Sequence, residues 1–103
     1  MATKKPSSTT KRAQDTPKRK SPSRPTLMQE VGKRIRAVRK MRGLGQDTLA
    51  YSIDLDRAHI GMIENGKRAP TVPTLARIAV GLECDVGDFF PPLSDLYNLL
   101  PED

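Results

Sequence analysis

Residues 46–65 read QDTLAYSIDLDRAHIGMIEN, and this stretch decides the fold. Its apolar residues fall into two short runs with the three- and four-residue spacing of an α-helix. We therefore predict one helix over residues 46–53 and a second over residues 57–65, with a tight turn between them. Asp56 stands directly before the second run, where a carboxylate can serve as an N-cap.

Two short helices joined by a tight turn form a helix-turn-helix, and this motif places three demands on its sequence. A small residue is needed where the two helices nearly touch, and Ala50 meets that need. The turn needs a residue that tolerates positive φ, and Asp54 does so at moderate cost. The inner faces need apolar residues at fixed offsets, and these are Leu49, Ile53, Leu55, Ile60 and Ile63.

A longer helix precedes the motif. Thr26 and Gln29 have the spacing of a capping box, in which each side chain bonds the other residue's backbone amide. Gly43 is placed to end this helix. Between them, apolar residues recur with helical period, which predicts that they face a core. They are Met28, Val31, Ile35, Val38 and Met41.

A fourth helix follows the motif over Val72–Leu82, with Thr71 as its cap and Pro73 in its first turn, where proline is tolerated. Its apolar stripe is Leu75, Ile78, Ala79 and Leu82. Asp85 is expected to cap a single turn that carries Phe89 and Phe90.

Ser94 is a candidate cap for a last short helix, which contains Leu96, Tyr97, Leu99 and Leu100. Alternating apolar residues, the pattern of a strand, are absent, so the prediction is an all-α domain of five helices with a sixth short one. We place a folded domain at residues 26–92 and an extension at 93–103.

Charge is distributed unevenly along the 103 residues, whose net charge is +6. Residues 1–26 carry eight Lys/Arg and one acid, whereas residues 70–103 carry one base and six acids. Such asymmetry predicts a polyanionic partner, either nucleic acid or an anionic membrane. Residues 1–25 consist mainly of Lys, Arg, Ser, Thr and Pro, which predicts a disordered basic tail. The tail either binds phosphates or is a solubilising leader that touches no nucleic acid.

Several classes of protein are disfavoured by what the sequence contains. No run approaches the ~20 apolar residues of a membrane span. One cysteine, Cys84, cannot form an internal disulfide, which favours a cytoplasmic protein. With one histidine, one cysteine and no phosphate-binding loop, an enzyme is the weakest reading, and we expect no metal and no cofactor.

Three stretches carry a resemblance to a known family: GLGQDTLA at 43–50, IENGKRAP at 63–70 and TLARIA at 74–79. They are similar, in the same order, to the lambda-repressor-like helix-turn-helix proteins of the Cro or XRE type. The resemblance spans about residues 31–90. It implies a compact five-helix DNA-binding domain, a bacterial or phage origin with association to the nucleoid, and pairing as a homodimer. The departures are Gly45, Asp54 and Glu83, and we expect the first two to cost stability.

The resemblance also implies how the third helix would read DNA from the major groove. Arg57 is the strongest candidate, because its planar fork matches guanine O6 and N7, although a phosphate contact is the alternative. The remaining candidates for base contact are Ala58, through its methyl group, Gly61, through close approach, and Met62, with no role as the alternative for the last two.

Contacts to the DNA backbone are expected from a second set of residues. Gln46 would bind a phosphate or brace a base-reading residue, with a plain surface position as the alternative. The other members of the set are His59, Asn65, Lys67 and Arg68. In the family the position of Glu64 pairs with an arginine of the first helix, here Arg39, which implies a partly buried structural ion pair.

The resulting prediction is a regulator that binds a double-stranded DNA operator as a dimer. The pairing surface would be an apolar carboxyl-terminal patch of Leu93, Leu96, Tyr97 and Leu100, with Phe89 or Phe90. The alternative is that these residues only cover the neighbouring helices. Rival functions on the same fold are an antitoxin with a toxin as partner, a restriction-modification controller protein, a phage-type repressor and a coactivator-like adaptor.

Overall fold

A computed structural model describes residues 25–100, which form five α-helices and one 3₁₀ turn. No strand occurs within these residues, so the all-α prediction is confirmed. The expected basic tail lies outside the described residues except for Pro25. The elements are α1 (Leu27–Met41), α2 (Gln46–Ser52), α3 (Arg57–Glu64), α4 (Val72–Leu82), the 3₁₀ turn (Val86–Phe89) and α5 (Leu93–Leu99).

The capping box at the start of α1 is present. The Thr26 hydroxyl accepts from the Gln29 amide at 3.1 Å, and the Thr26 amide donates to Gln29 Oε1 at 2.9 Å. Gly43 has φ +72° just beyond the end of the helix, as its assignment as a stop predicted. The prediction for Met41 is wrong, because its side chain is 82% exposed. Met41 is the last residue of α1 and lies beyond the part of the helix that faces the core.

The core is a single cluster to which every element except α5 contributes fully buried residues. Both apolar faces of the helix-turn-helix point into it, as their spacing predicted. Gly32 lets α1 lie directly on the end of α3, since a Cβ built there would collide with the carbonyl oxygen of Ile63. The buried apolar residues are Val31, Ile35, Leu49, Ala50, Ile53, Ile60, Ile63, Leu75, Ile78, Ala79, Leu82 and Phe89.

Two non-glycine residues adopt the left-handed backbone conformation. Asp54, with φ 58°, makes the turn between α2 and α3, as expected. Glu83, with φ 56°, ends α4, and it was not predicted from the sequence that this conformation would cost stability. A left-handed residue other than glycine costs roughly 1–2 kcal/mol. Gly45 precedes α2 without a side-chain cap, so all three departures from the family pattern bear on stability.

The carboxyl-terminal helix starts earlier than predicted. α5 begins at Leu93 directly after Pro92, so Ser94 lies inside the helix and is not its cap. Pro92 is itself the N-cap, in an extended conformation with φ −63° and ψ 160° and with no side-chain hydrogen bond to the helix. Over residues 25–100, the helices are too short or too polar to cross a bilayer.

Candidate nucleic-acid interface

The third helix has two faces of opposite character. Ile60 and Ile63 are fully buried and anchor α3 against α1 and α2. Arg57, Ala58 and Met62 lie on the solvent side and are exposed. The inner face therefore holds α3 in place while the outer face is free to enter a groove.

Arg57 stands at the amino end of α3 beside the first turn of α2. Its Nε lies 3.8 Å from Asp47 Oδ1, and both side chains are largely exposed. An exposed ion pair of this length contributes at most about 1 kcal/mol, so the guanidinium is available to another acceptor. Sequence reasoning missed Asp47, although an acid ten residues before the main candidate base reader is visible as a charge that DNA would repel.

The chain that leaves α3 is polar and basic. Asn65, Lys67 and Arg68 are exposed, and Gly66 between them has φ +72°. The Lys67 amide donates to the Met62 carbonyl at 2.9 Å, which closes the helix end and orders this segment. His59 and Gly61 are half-buried on the helix itself.

Arg39 and Glu64 form a buried ion pair with two hydrogen bonds. Arg39 Nε donates to Glu64 Oε2 at 2.6 Å, and Nη2 donates to Oε1 at 2.9 Å. The residues are 7% and 5% exposed, so the pair is more deeply buried than the partial burial expected from the sequence. Gly32 brings α1 against the backbone of Glu64, since a Cβ built there would be 2.7 Å from the Glu64 carbonyl oxygen. The hydrogen bond to Glu64 raises the pKa of Arg39, against the effect of burial.

The same pair reaches the amino end of α2 by two further bonds. Arg39 Nη1 donates to the carbonyl of Leu44 at 2.8 Å, in the turn before α2. Gln46 Nε2 donates to Glu64 Oε1 at 3.0 Å. Sequence reasoning placed Gln46 on the DNA side and Glu64 in a structural pair but did not connect them. No local pattern links residues 18 positions apart.

The surroundings of Cys84 favour its protonated thiol. Burial raises the pKa of the Cys84 thiol, and the charge of Asp88 raises it further. The protonated thiol is the unreactive form. Within residues 25–100, no group of three or more His, Cys, Asp or Glu residues is placed to hold a metal ion.

This arrangement of α2, the tight turn and α3, whose outer face is exposed, defines a helix-turn-helix protein. The HTH_3 family model, described as helix-turn-helix, matches residues 35–89. The chain belongs to this family, which is the Cro/XRE type that the sequence motifs indicated.

Individual relatives agree with this assignment. The chain is 37% identical over 60 residues to control protein C.MunI of Mycoplasma sp, an alignment covering 57% of this chain and 81% of that protein. It superposes with a TM-score of 0.60 and 32% identity on the restriction-modification controller protein C.AhdI from Aeromonas hydrophila, covering 61% and 96% of the two chains. The controller protein C.Esp1396I, crystallised as a tetramer with its natural 35 base-pair operator, gives a TM-score of 0.58 and 35% identity, covering 64% and 87%. These relatives are regulators and not enzymes.

Proposed function

We propose that this protein is a sequence-specific transcription regulator that binds an operator as a dimer and docks α3 in the major groove. One observation carries the proposal: α3 buries its apolar face completely and presents Arg57, Ala58 and Met62 to solvent. An arginine at the start of such a helix is the side chain best suited to guanine in the major groove.

Two sets of residues divide the work in this proposal. Arg57, Ala58, Gly61 and Met62 would face base edges, because helical spacing groups them on one side of α3, away from Ile60 and Ile63. Gln46, His59, Asn65, Lys67 and Arg68 would hold the sugar-phosphate backbone at the two sides of the groove. Contacts of the second kind fix the orientation of the protein, and those of the first kind read the sequence.

Selection of bound sites from a random DNA pool tests the proposal directly. We expect a defined consensus, and titration of the selected site and of random duplex should show the selected site binding ~10³-fold tighter or more. A pool that yields no consensus would contradict sequence-specific binding.

The dimer is supported by α5, in which none of the residues is buried. Leu93, Tyr97 and Leu100 are 68%, 76% and 52% exposed, so they do not merely cover the neighbouring helices. Phe89 is fully buried in the core and cannot belong to the patch, which corrects that part of the prediction. Phe90 is half-buried and adjoins it in sequence.

Pairing about a two-fold axis predicts a palindromic operator with half-sites about 10–10.5 base pairs apart, or a multiple of that spacing. Sedimentation of the free protein and of its complex with the selected site measures the stoichiometry. One monomer on one asymmetric half-site would rule the dimer out.

A restriction-modification controller is the finer role that the comparisons favour. The alignments span 81% of C.MunI and 96% of C.AhdI, so the resemblance extends over nearly the whole of those two proteins. A reporter fused to the promoter of a neighbouring endonuclease gene would respond to this protein if the role is correct. A response only at the promoter of a toxin gene would favour the antitoxin alternative.

A further inference from the structure

The carboxylate of Glu64 has three N–H donors, which come from α1 and from the start of α2. Two belong to Arg39, as described above, and the third is Gln46 Nε2, at 3.0 Å from Oε1. The Glu64 side chain is only 1% exposed, whereas Gln46 is half-buried at the start of α2. A buried charge is thus bonded directly to a side chain at the protein surface.

This bond determines which way the amide of Gln46 points. A carboxylate can only accept hydrogen bonds, so the end of the amide next to Glu64 must be its NH₂ group. One N–H and the carbonyl Oε1 of Gln46 remain for other partners. The orientation of the amide therefore follows from which of its two ends can donate a hydrogen bond to a carboxylate.

The oriented amide lies over α3 at Gly61. A Cβ built at Gly61 would be 3.9 Å from both Nε2 and Oε1 of Gln46, so the two residues are neighbours across the helix-turn-helix. Gly61 is one of the residues placed towards the bases. The amide of Gln46 therefore stands at the side of the base-reading face, with its rotamer already restricted before DNA arrives.

We propose that Glu64 is a positioning residue for DNA recognition, which orients Gln46 so that its carbonyl and one N–H are presented to the operator. The inference rests on the proposed function. The remaining N–H can donate to a phosphate, which is the backbone contact proposed above. The free carbonyl cannot bind a phosphate oxygen, since both are acceptors, but it can accept from the amino group of adenine or cytosine, which adds a base contact to the role of Gln46. Because Gln46 is ordered on folding, less side-chain entropy is lost when DNA binds.

Arg39 also positions the backbone next to Gln46. Its hydrogen bond to the Leu44 carbonyl holds the turn that leads into α2. The ion pair therefore orients both the backbone before α2 and the side chain of Gln46. A purely structural pair would stabilise the fold and leave discrimination between DNA sequences untouched. The two roles therefore differ in the ratio of affinities for the selected site and for random duplex.

The test measures that ratio for Gln46→Ala, for Arg39→Met/Glu64→Met and for the triple variant. Replacing both charges by methionine removes the acceptor without leaving a buried charge unpaired. We expect the ratio to fall about five- to ten-fold in each of the first two, the loss of one hydrogen bond. The triple variant should lose no more than either, because the two changes remove the same contact.

Ile78→Val is the matched control, because it lowers stability from a buried position on α4. It should leave the ratio unchanged at temperatures where every variant is folded. A wild-type ratio in Gln46→Ala, or in Arg39→Met/Glu64→Met, overturns the positioning role. If the wild-type protein itself fails to discriminate, the proposed function fails instead.

A second measurement needs no variant. Nuclear magnetic resonance resolves the two side-chain amide protons of Gln46, and one of them should exchange with solvent much more slowly than the other in the free protein. The same proton should stay protected in the complex with the selected site. Equal and fast exchange of both protons in the free protein overturns the proposal.

Discussion

The helices α3 and α5 are nearly the same length, eight and seven residues, yet they differ in how much of each is buried in the domain. α3 buries Ile60, Ile63 and Glu64, whereas α5 buries none of its residues. Both carry several apolar side chains, so composition does not explain the difference. A helix that is anchored on its inner face can present a rigid outer face, while a helix with exposed apolar residues gains from a partner.

Their surroundings give the physical reason. α3 lies between α1 and α2, with Gly32 allowing α1 to approach its end. α5 follows Pro91 and Pro92, and only Leu96 and Leu99 of its residues are half-buried. The experiments below test whether α3 is fixed by the domain and α5 by a second molecule.

The largest effect is expected from Glu64→Ala, which leaves Arg39 charged and buried without a partner. Such a change typically costs ~3–5 kcal/mol of unfolding free energy. The deep burial of the pair argues against the low end of this range, which partial burial would give. Urea denaturation measures the loss, and Arg39→Met/Glu64→Met should lose much less.

The pH dependence of this pair follows from the raised pKa of Arg39. A group with a raised pKa contributes its stability fully below its unfolded pKa and loses it as the pH rises through the folded pKa. For an arginine both values lie in strong alkali, so the contribution of Arg39 is constant through neutral pH.

Lys33→Ala is a control that breaks an exposed pair, Glu30 with Lys33 at 3.5 Å. It should unfold within about 0.5 kcal/mol of the wild type. If Glu64→Ala behaved like this control, the anchoring of α3 through Arg39 would be disproved.

Arg57→Ala is expected to change binding and not stability, because the side chain is exposed on the outer face of α3. Affinity for the selected site should fall by ~1–3 kcal/mol, with a blurred preference at one base pair and little change on random duplex. Titrations at several salt concentrations measure both. Arg68→Ala is the comparison, since loss of a phosphate contact should weaken both DNAs and flatten the slope of log K against log salt by ~0.9. If Arg57→Ala weakened binding to the selected site and to random duplex equally, Arg57 would be a phosphate contact and not a base reader.

Leu93→Ser/Tyr97→Ser tests whether α5 binds a second molecule, and it should change dimerisation but not stability. Because both residues are exposed, the unfolding free energy of the monomer should change by no more than about 0.5 kcal/mol. The dimer should dissociate at higher protein concentration, which sedimentation over a dilution series measures. Val72→Ser, at a residue of α4 that is 82% exposed, should alter neither property. Unchanged dimerisation in the α5 variant would remove the patch from the interface.

The smallest effect on DNA binding is expected from Asp47→Asn. This change frees Arg57 from the pair at 3.8 Å and removes a negative charge near the candidate DNA face. Affinity for random duplex should rise by at most about 1 kcal/mol at low salt, and the gain should shrink as salt screens the charges. A gain that does not depend on salt would show that charge is not the cause.

Much of the local structure could be predicted from the sequence. The capping box of Thr26, the stop at Gly43 and the positive φ of Asp54 depend on residues within one turn of each other. Two predictions failed where the local sequence fitted more than one outcome. Met41 continues the apolar period of α1 but lies beyond the core. Ser94 is a residue type suited to an N-cap, but the helix already starts directly after Pro92. The pairing of Arg39 with Glu64 came from the family resemblance, because their spacing of 25 residues carries no signal.

The sequence by itself determined the helices, the helix-turn-helix and the family, because helical period, capping and turn conformation act between near neighbours in the chain. Only the tertiary structure decided that Glu64 holds both Arg39 and Gln46, that Phe89 belongs to the core, and that Leu93, Tyr97 and Leu100 stay exposed. Those outcomes depend on which helices lie against each other, and burial and hydrogen bonding between distant residues exist only once the helices have packed.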